Sequence, residues 1–143
     1  MPAAASEVQR AAAFRSALRR FLARTDEVAS AAGLTSQRYD LLLAIKSGTG
    51  ETSTVTELSE RMFLSQPGVT ELVKRAEDAG LIRRSGWASD GRVSVLALTA
   101  EGERRLMKAF VGLRDERRQL ADAMRAVGKS FRAFVHSQEE AAR

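Results

Sequence analysis

Six residues between positions 66 and 75, namely Gln66, Gly68, Thr70, Glu71, Lys74 and Arg75, are spaced to line one side of a helix. The intervening Val69, Leu72, Val73 and Ala76 fall at helical spacing on the opposite side, which predicts an inward apolar face and an outward polar one. Amide, hydroxyl, carboxylate and guanidinium groups on such a face are the types that reach base edges and phosphates when a helix lies in a major groove. Ser65-Gln66-Pro67 opens this helix, and Gly80 closes it as a residue that tolerates left-handed backbone. A second group follows in Leu81 to Thr99, where β-branched and aliphatic runs flank Asp90-Gly91, a strong hairpin signal. Arg92 stands beside that turn, and a cation at a hairpin tip suits a narrow minor groove, whose potential attracts Arg.

Other chemistries find little to work with. His136 is the only histidine and there is no cysteine, so no metal site, histidine-activated nucleophile, disulfide or thiol switch is expected, and the chain does not read as an enzyme. Gly48-x-Gly50 lacks both the Lys-Ser/Thr ending and the preceding strand of a phosphate loop, and reads as a plain connection within Ser47 to Ser53. No cofactor is expected. Tyr39 and Trp87, each the only residue of its kind, are candidates with Phe14 for lining a small-molecule pocket; core packing is the competing assignment.

The positioning elements are legible from capping and periodicity. Thr54 with Glu57 three residues later is the reciprocal capping signature of a helix start, and Phe63-Leu64 is the short connection to the Ser65 helix. Upstream, Ala11, Phe14, Leu18, Phe21, Thr25, Val28 and Ala32 alternate by three and four along a helix that Gly33 stops. Such a stripe serves a dimerisation helix or a helix packed within its own monomer equally well. Thr35 then caps a helix holding Tyr39, Leu41, Leu42, Leu43, Ala44 and Ile45, apolar nearly all round and therefore central.

After the hairpin, Thr99 caps a further helix with Glu101 and Glu103 in its first turn. Leu106, Phe110, Leu113, Leu120, Met124, Val127, Phe131 and Phe134 repeat the three-and-four spacing, with Arg117 the polar member of that register. Gly112 and the charged Arg114-Asp115-Glu116-Arg117 predict a break, with Asp115 as the cap of a new helix. Apolar stripes at both ends of a chain of 143 residues are hard to bury in one monomer, which makes a symmetric dimer the expected solution.

That length is one domain's worth. With 23 Lys and Arg against 18 Asp and Glu, the net charge of +5 favours a polyanionic partner. No uninterrupted apolar run approaches the ~18 residues of a membrane span, and the first residues lack a secretory core, so the expectation is a cytoplasmic protein without membrane contact.

LTSQRYDLLLAI, then VTELSERMFLSQPGVTELVKRAEDAGLI, then DGRVSVLALTAEG resembles the multiple-antibiotic-resistance-regulator (MarR) family of bacterial transcription factors, over about residues 12–134. The most specific part is the wing: Asp90 and Arg92 at the turn, a strand ending in Leu98-Thr99, then Glu101-Gly102. The resemblance implies a mainly α fold with a small β-hairpin wing, a winged helix-turn-helix over 34–99 flanked by dimerisation helices in 1–33 and 100–143, in one compact domain overall. It also implies a homodimer on a pseudo-palindromic duplex, most often a repressor released by a small, often aromatic, effector. Carried onto this chain, Ser65, Gln66, Gly68, Thr70 and Glu71 would face bases, Lys74 and Arg75 backbone or bases, and Arg92 the minor groove. Asp90 would orient the wing by pairing with Arg75 or Arg84.

Two departures stand out. Glu71 occupies a position where the family often has a basic residue, leaving the exposed helix face nearly neutral. Phe63 stands where such turns commonly use Gly, and an aromatic there predicts a turn confined to right-handed backbone. The near-neutral face keeps a protein-interaction module in play beside a DNA reader, and an activator would share every contact named.

Overall fold

The computed structural model describes residues 2–87 and 93–142, without the side chains of Pro2, Ala3, Ala4, Trp87 and Phe134. In chain order the elements are α1 (Pro2–Ala31), α2 (Ser36–Lys46), a single 3-10 turn (Thr49–Glu51), α3 (Val55–Met62), α4 (Gln66–Asp78), β1 (Ile82–Trp87), β2 (Ser94–Leu98), α5 (Ala100–Gly112) and α6 (Arg114–Ala141). The fold is thus mainly α with one antiparallel hairpin. It divides into a central unit, Asp26–Val111, and a terminal-helix unit, Met1–Thr25 with Gly112–Arg143.

In the central unit the starts are set by side-chain caps. Thr35 Oγ1 accepts from the Arg38 N–H at 3.1 Å. Thr54 Oγ1 accepts from the Glu57 N–H while Glu57 Oε1 accepts from the Thr54 N–H, both at 3.2 Å, so the expected capping box is complete. Ser65 caps α4 through the Gly68 N–H at 3.2 Å, and Thr99 caps α5 through the Gly102 N–H at 3.0 Å. Each bond satisfies a helix-end donor and is worth about 1 kcal/mol.

The same unit has a closed core. Leu41, Leu42 and Ile45 of α2, Leu58 of α3, Val69, Val73 and Ala76 of α4, Leu81, Leu96 of β2 and Leu106 of α5 are essentially without exposed surface. Gly102 permits the approach of α5: a Cβ there would lie 2.1 Å from the Leu81 carbonyl oxygen. Thr99 Oγ1 donates to the Gly80 carbonyl at 2.6 Å, fastening the end of the hairpin to the end of α4.

Strands β1 and β2 pair from Ile82–Leu98 through Arg84–Leu96 to Trp87–Ser94, with a bulge between Arg84 and Trp87 in which Gly86 has φ 115. Ser53 adds a bridge to the far edge, exchanging both backbone hydrogen bonds with Leu96, at 3.0 and 2.8 Å.

Two expectations are overturned. Phe63 is left-handed, at φ 54 and ψ 41, rather than confined to right-handed backbone. The turn closes there because the Leu64 N–H donates to the Ser59 carbonyl at 3.2 Å and Ser59 Oγ returns a bond to the Leu64 carbonyl at 2.5 Å. These bonds hold a conformation that costs a non-glycine residue about 1–2 kcal/mol. The break after Gly112 is present, but Leu113 occupies the cap position of α6 with no side-chain bond, and Asp115 lies in the first turn. There its charge favours the helix dipole instead of capping.

In the terminal-helix unit, Arg24 pairs with Glu116 at 3.1 Å and Arg10 donates to Ser130. Partner numbers fall along α6 as they rise along α1, so the two helices run antiparallel. Phe14, Leu18 and Phe21 of the predicted stripe are half-buried, and Thr25 is buried. Val8, Leu22, Met124, Phe131 and Val135 remain exposed, Phe131 at 61%.

Candidate nucleic-acid interface

The surface with the densest predicted function is α4 with the turn that delivers it. Its buried side is Val69, Leu72, Val73 and Ala76, as the periodicity requires. Ser65, Gln66, Thr70, Glu71, Lys74 and Arg75 are exposed on the outer side, and Gly68 is half-buried behind the Ser65 cap. The sequence-predicted contact residues of this helix therefore share one accessible face.

That face is internally bonded. Gln66 Nε2 donates to Thr56 Oγ1 of α3 at 3.3 Å, and Thr70 Oγ1 donates back to the Gln66 carbonyl at 2.9 Å. Arg75 pairs with Glu71 at 3.2 Å, one helical turn away. Lys74 has no ion-pair partner among the described residues. Exposed pairs of this kind are weak and exchange readily for a stronger anion, so Glu71 attenuates Arg75 without removing it.

The wing base is tied to α4 by Arg84, which donates to Glu77 at 3.1 Å and to Ser94 Oγ at 2.5 Å. Asp90 and Arg92 lie outside the described residues, as does the Trp87 side chain; Trp87 itself closes β1 opposite Ser94. Of the two partners open to Asp90, Arg75 holds Glu71 and Arg84 holds Glu77.

Two supporting residues carried no signal in the periodicity. Ser53, fully buried, accepts from Arg61 at 2.6 Å and donates to the Ile45 carbonyl at 3.3 Å. Arg61 also bonds Glu57, and that i,i+4 spacing is its only trace in the sequence.

At the start of α5, hydrogen bonds from Arg104 and then Arg105 hold the Glu101 carboxyl down to about 2. Arg105 also donates to the Gly33 carbonyl at 3.0 Å.

Tyr39 is 4% exposed in the core of the central unit, and Phe14 belongs to the terminal-helix unit. The cavities of the central unit lie elsewhere. One of about 610 Å³ is lined by Gln37, Asp40, Leu43, Ala44, Ser47, Arg61, Met62 and Leu64. A smaller, more apolar one of about 220 Å³ lies between α2 and α5, against Leu43, Lys46, Ser47, Leu106, Met107 and Phe110. Lys46 is held by Glu103 at 2.7 Å and Glu51 at 3.1 Å, which raises its pKa. Among the described residues no group of three or more His, Asp or Glu is placed to hold a metal, and no helix is long and apolar enough to cross a membrane.

With this geometry in place, the sequence profile of the MarR family matches residues 32–93, from the end of α1 to the hairpin. Residues 32–93 are thus similar to the winged helix-turn-helix segment of the MarR family. A Bacillus cereus relative of this MarR-type segment, described as an uncharacterised helix-turn-helix transcriptional regulator, is 31% identical over 78 residues. That match covers 54% of this chain and 49% of the relative, so the chain spans about half the length of the curated relatives it matches. Among solved structures, AbsC, a MarR family regulator from Streptomyces coelicolor, superposes with a TM-score of 0.68 at 20% identity, over 87% of this chain and 88% of AbsC. The Mycobacterium tuberculosis regulator MosR, solved in complex with DNA, gives a TM-score of 0.59 at 26% identity over 90% of this chain and 91% of MosR. The MarR fold thus extends beyond the segment matched by the family profile.

Proposed function

We infer that the protein is a homodimeric, sequence-specific DNA-binding transcriptional regulator that reads a pseudo-palindromic duplex and represses until a small aromatic ligand releases it. The observation that carries the reading is α4: one exposed face bearing Ser65, Gln66, Thr70, Glu71, Lys74 and Arg75, on a MarR-family scaffold whose similar structures include one bound to DNA. A helix presented in this way suits a major groove, and its N-terminal residues are the ones that meet base edges. Arg92 would add the minor-groove contact and Asp90 would orient it.

The dimer is supported by Leu22, Met124 and Phe131, apolar residues left exposed on helices whose stripes are otherwise half-buried. Two readers on a two-fold axis meet equivalent grooves about 34–36 Å apart on one side of the duplex. For the effector, the apolar cavity between α2 and α5 offers Leu43, Leu106, Met107 and Phe110 to an aromatic ring. A ligand there acts through its differential affinity for two dimer geometries.

Titration of genomic fragments at several salt concentrations tests the reading: a set of fragments bound well above random DNA is expected, and none bound so would end it. Release by aromatic acids in the same assay tests the effector. A promoter assay with and without the protein gives the sign of regulation. The Glu71–Arg75 pair, which quenches the exposed face, favours as second reading a winged-helix protein-interaction module. One stoichiometric protein partner with only random-DNA affinity would select it.

A further inference from the structure

Phe63 combines two properties that neither burial nor backbone preference explains. It is an aromatic residue in left-handed backbone, and it is 94% exposed. Glycine or asparagine would occupy that conformation with little strain, and a ring left in water forgoes the stabilisation that burial gives. The surrounding turn imposes the conformation through the reciprocal Ser59–Leu64 bonds, so the ring is aimed outward from a fixed point. Residues held in sparsely populated backbone regions cluster where a ligand is contacted.

The location names that ligand. Phe63 lies two residues before the Ser65 cap, at the end of α4 that enters a groove. Gln66, first residue of α4, follows Phe63 by three residues and is bonded to Thr56 in the first turn of α3, which joins the starts of the two helices. Ionic attraction from α4 is reduced by the Glu71–Arg75 pair, so a non-ionic contact would contribute disproportionately. Apolar side chains, Phe among them, read the C5-methyl group of thymine in the major groove.

Resting on the DNA-binding reading above, we propose that Phe63 is a specificity residue that packs on a thymine methyl at the edge of the recognised site. The contact carries no charge, so it adds affinity and base selectivity without releasing counterions.

The test uses the full chain and a duplex that the wild type selects from a random pool. Phe63→Gly and Phe63→Asn both accept left-handed backbone, so their thermal midpoints should not fall. Both should bind about tenfold more weakly, the effect of burying part of one ring. The slope of log K against log salt should stay unchanged. Replacing each thymine in turn by deoxyuridine removes one methyl; at one position this should weaken the wild type and leave Phe63→Gly unaffected. Wild-type affinity in both variants, a reduced salt slope, or equal deoxyuridine effects in all three proteins would overturn the proposal. So would variants that keep DNA affinity and lose self-association, which would assign Phe63 to a protein contact. If the wild type selects no duplex over random DNA, the DNA-binding reading itself fails, a result distinct from selection that is indifferent to Phe63.

Discussion

The central unit and the terminal-helix unit use the same three-and-four apolar spacing and finish it differently. In the former, Leu41, Leu42, Ile45, Leu58 and Leu106 reach 0–1% exposure. In the latter, Met124 stays at 54% and Phe131 at 61%. The difference lies in how many elements surround each stripe. Three further helices and a hairpin supply the core around α2, whereas α1 and α6 form an antiparallel pair in which each helix can cover only one side of the other. Periodicity therefore marks where a helix must be buried and leaves open whether its own chain can bury it.

The comparison breaks most sharply in the central core. Leu58→Ala should cost about 2–5 kcal/mol by urea denaturation, independent of protein concentration; a concentration-dependent loss would show that this core is not self-contained. Gly102→Ala should come next, at about 1–3 kcal/mol, because the new Cβ must displace the Leu81 carbonyl. Unchanged stability would mean that α5 can shift freely.

The acid titration is a finer test. Because Arg104 and Arg105 depress the folded-state pKa of Glu101 from 4.5 to about 2, its ionised form favours folding above pH 4.5. That contribution disappears as the pH falls from about 4.5 through about 2, so Glu101→Gln should flatten stability against pH in this window. A superimposable acid profile would remove the carboxylate from the balance. Smallest in monomer stability is Phe131→Asp, within about 0.5 kcal/mol at an exposed site. Sedimentation at micromolar concentration should nevertheless show a shift from dimer to monomer; an unchanged sedimenting species would place self-association elsewhere or nowhere.

What the sequence disclosed was mostly local. Thr35, Thr54 and Thr99 cap as read, and Ser65, read as part of the helix opening, caps α4, because each bond spans three residues and needs no tertiary partner. The inward face of α4 was equally legible from Val69, Leu72, Val73 and Ala76. Phe63 was misread because intrinsic preference was weighed without the Ser59–Leu64 closure that overrides it. Asp115 was misplaced as a cap because Gly112 already releases the chain before Leu113. For Arg84 the sequence offered Asp90 as partner and did not reveal Glu77, which only the packing of β1 against α4 brings within reach. Ser53 left no trace, since its partners come from Ala44–Ile45, Arg61 and Leu96.

That serine has a mechanical consequence. Its hydroxyl joins the end of α2 to Arg61 of α3, and its backbone is stitched to β2, so three elements share one pin no wider than a residue. Any displacement of the end of α2 must therefore either break these bonds or carry α3 and β2 with it.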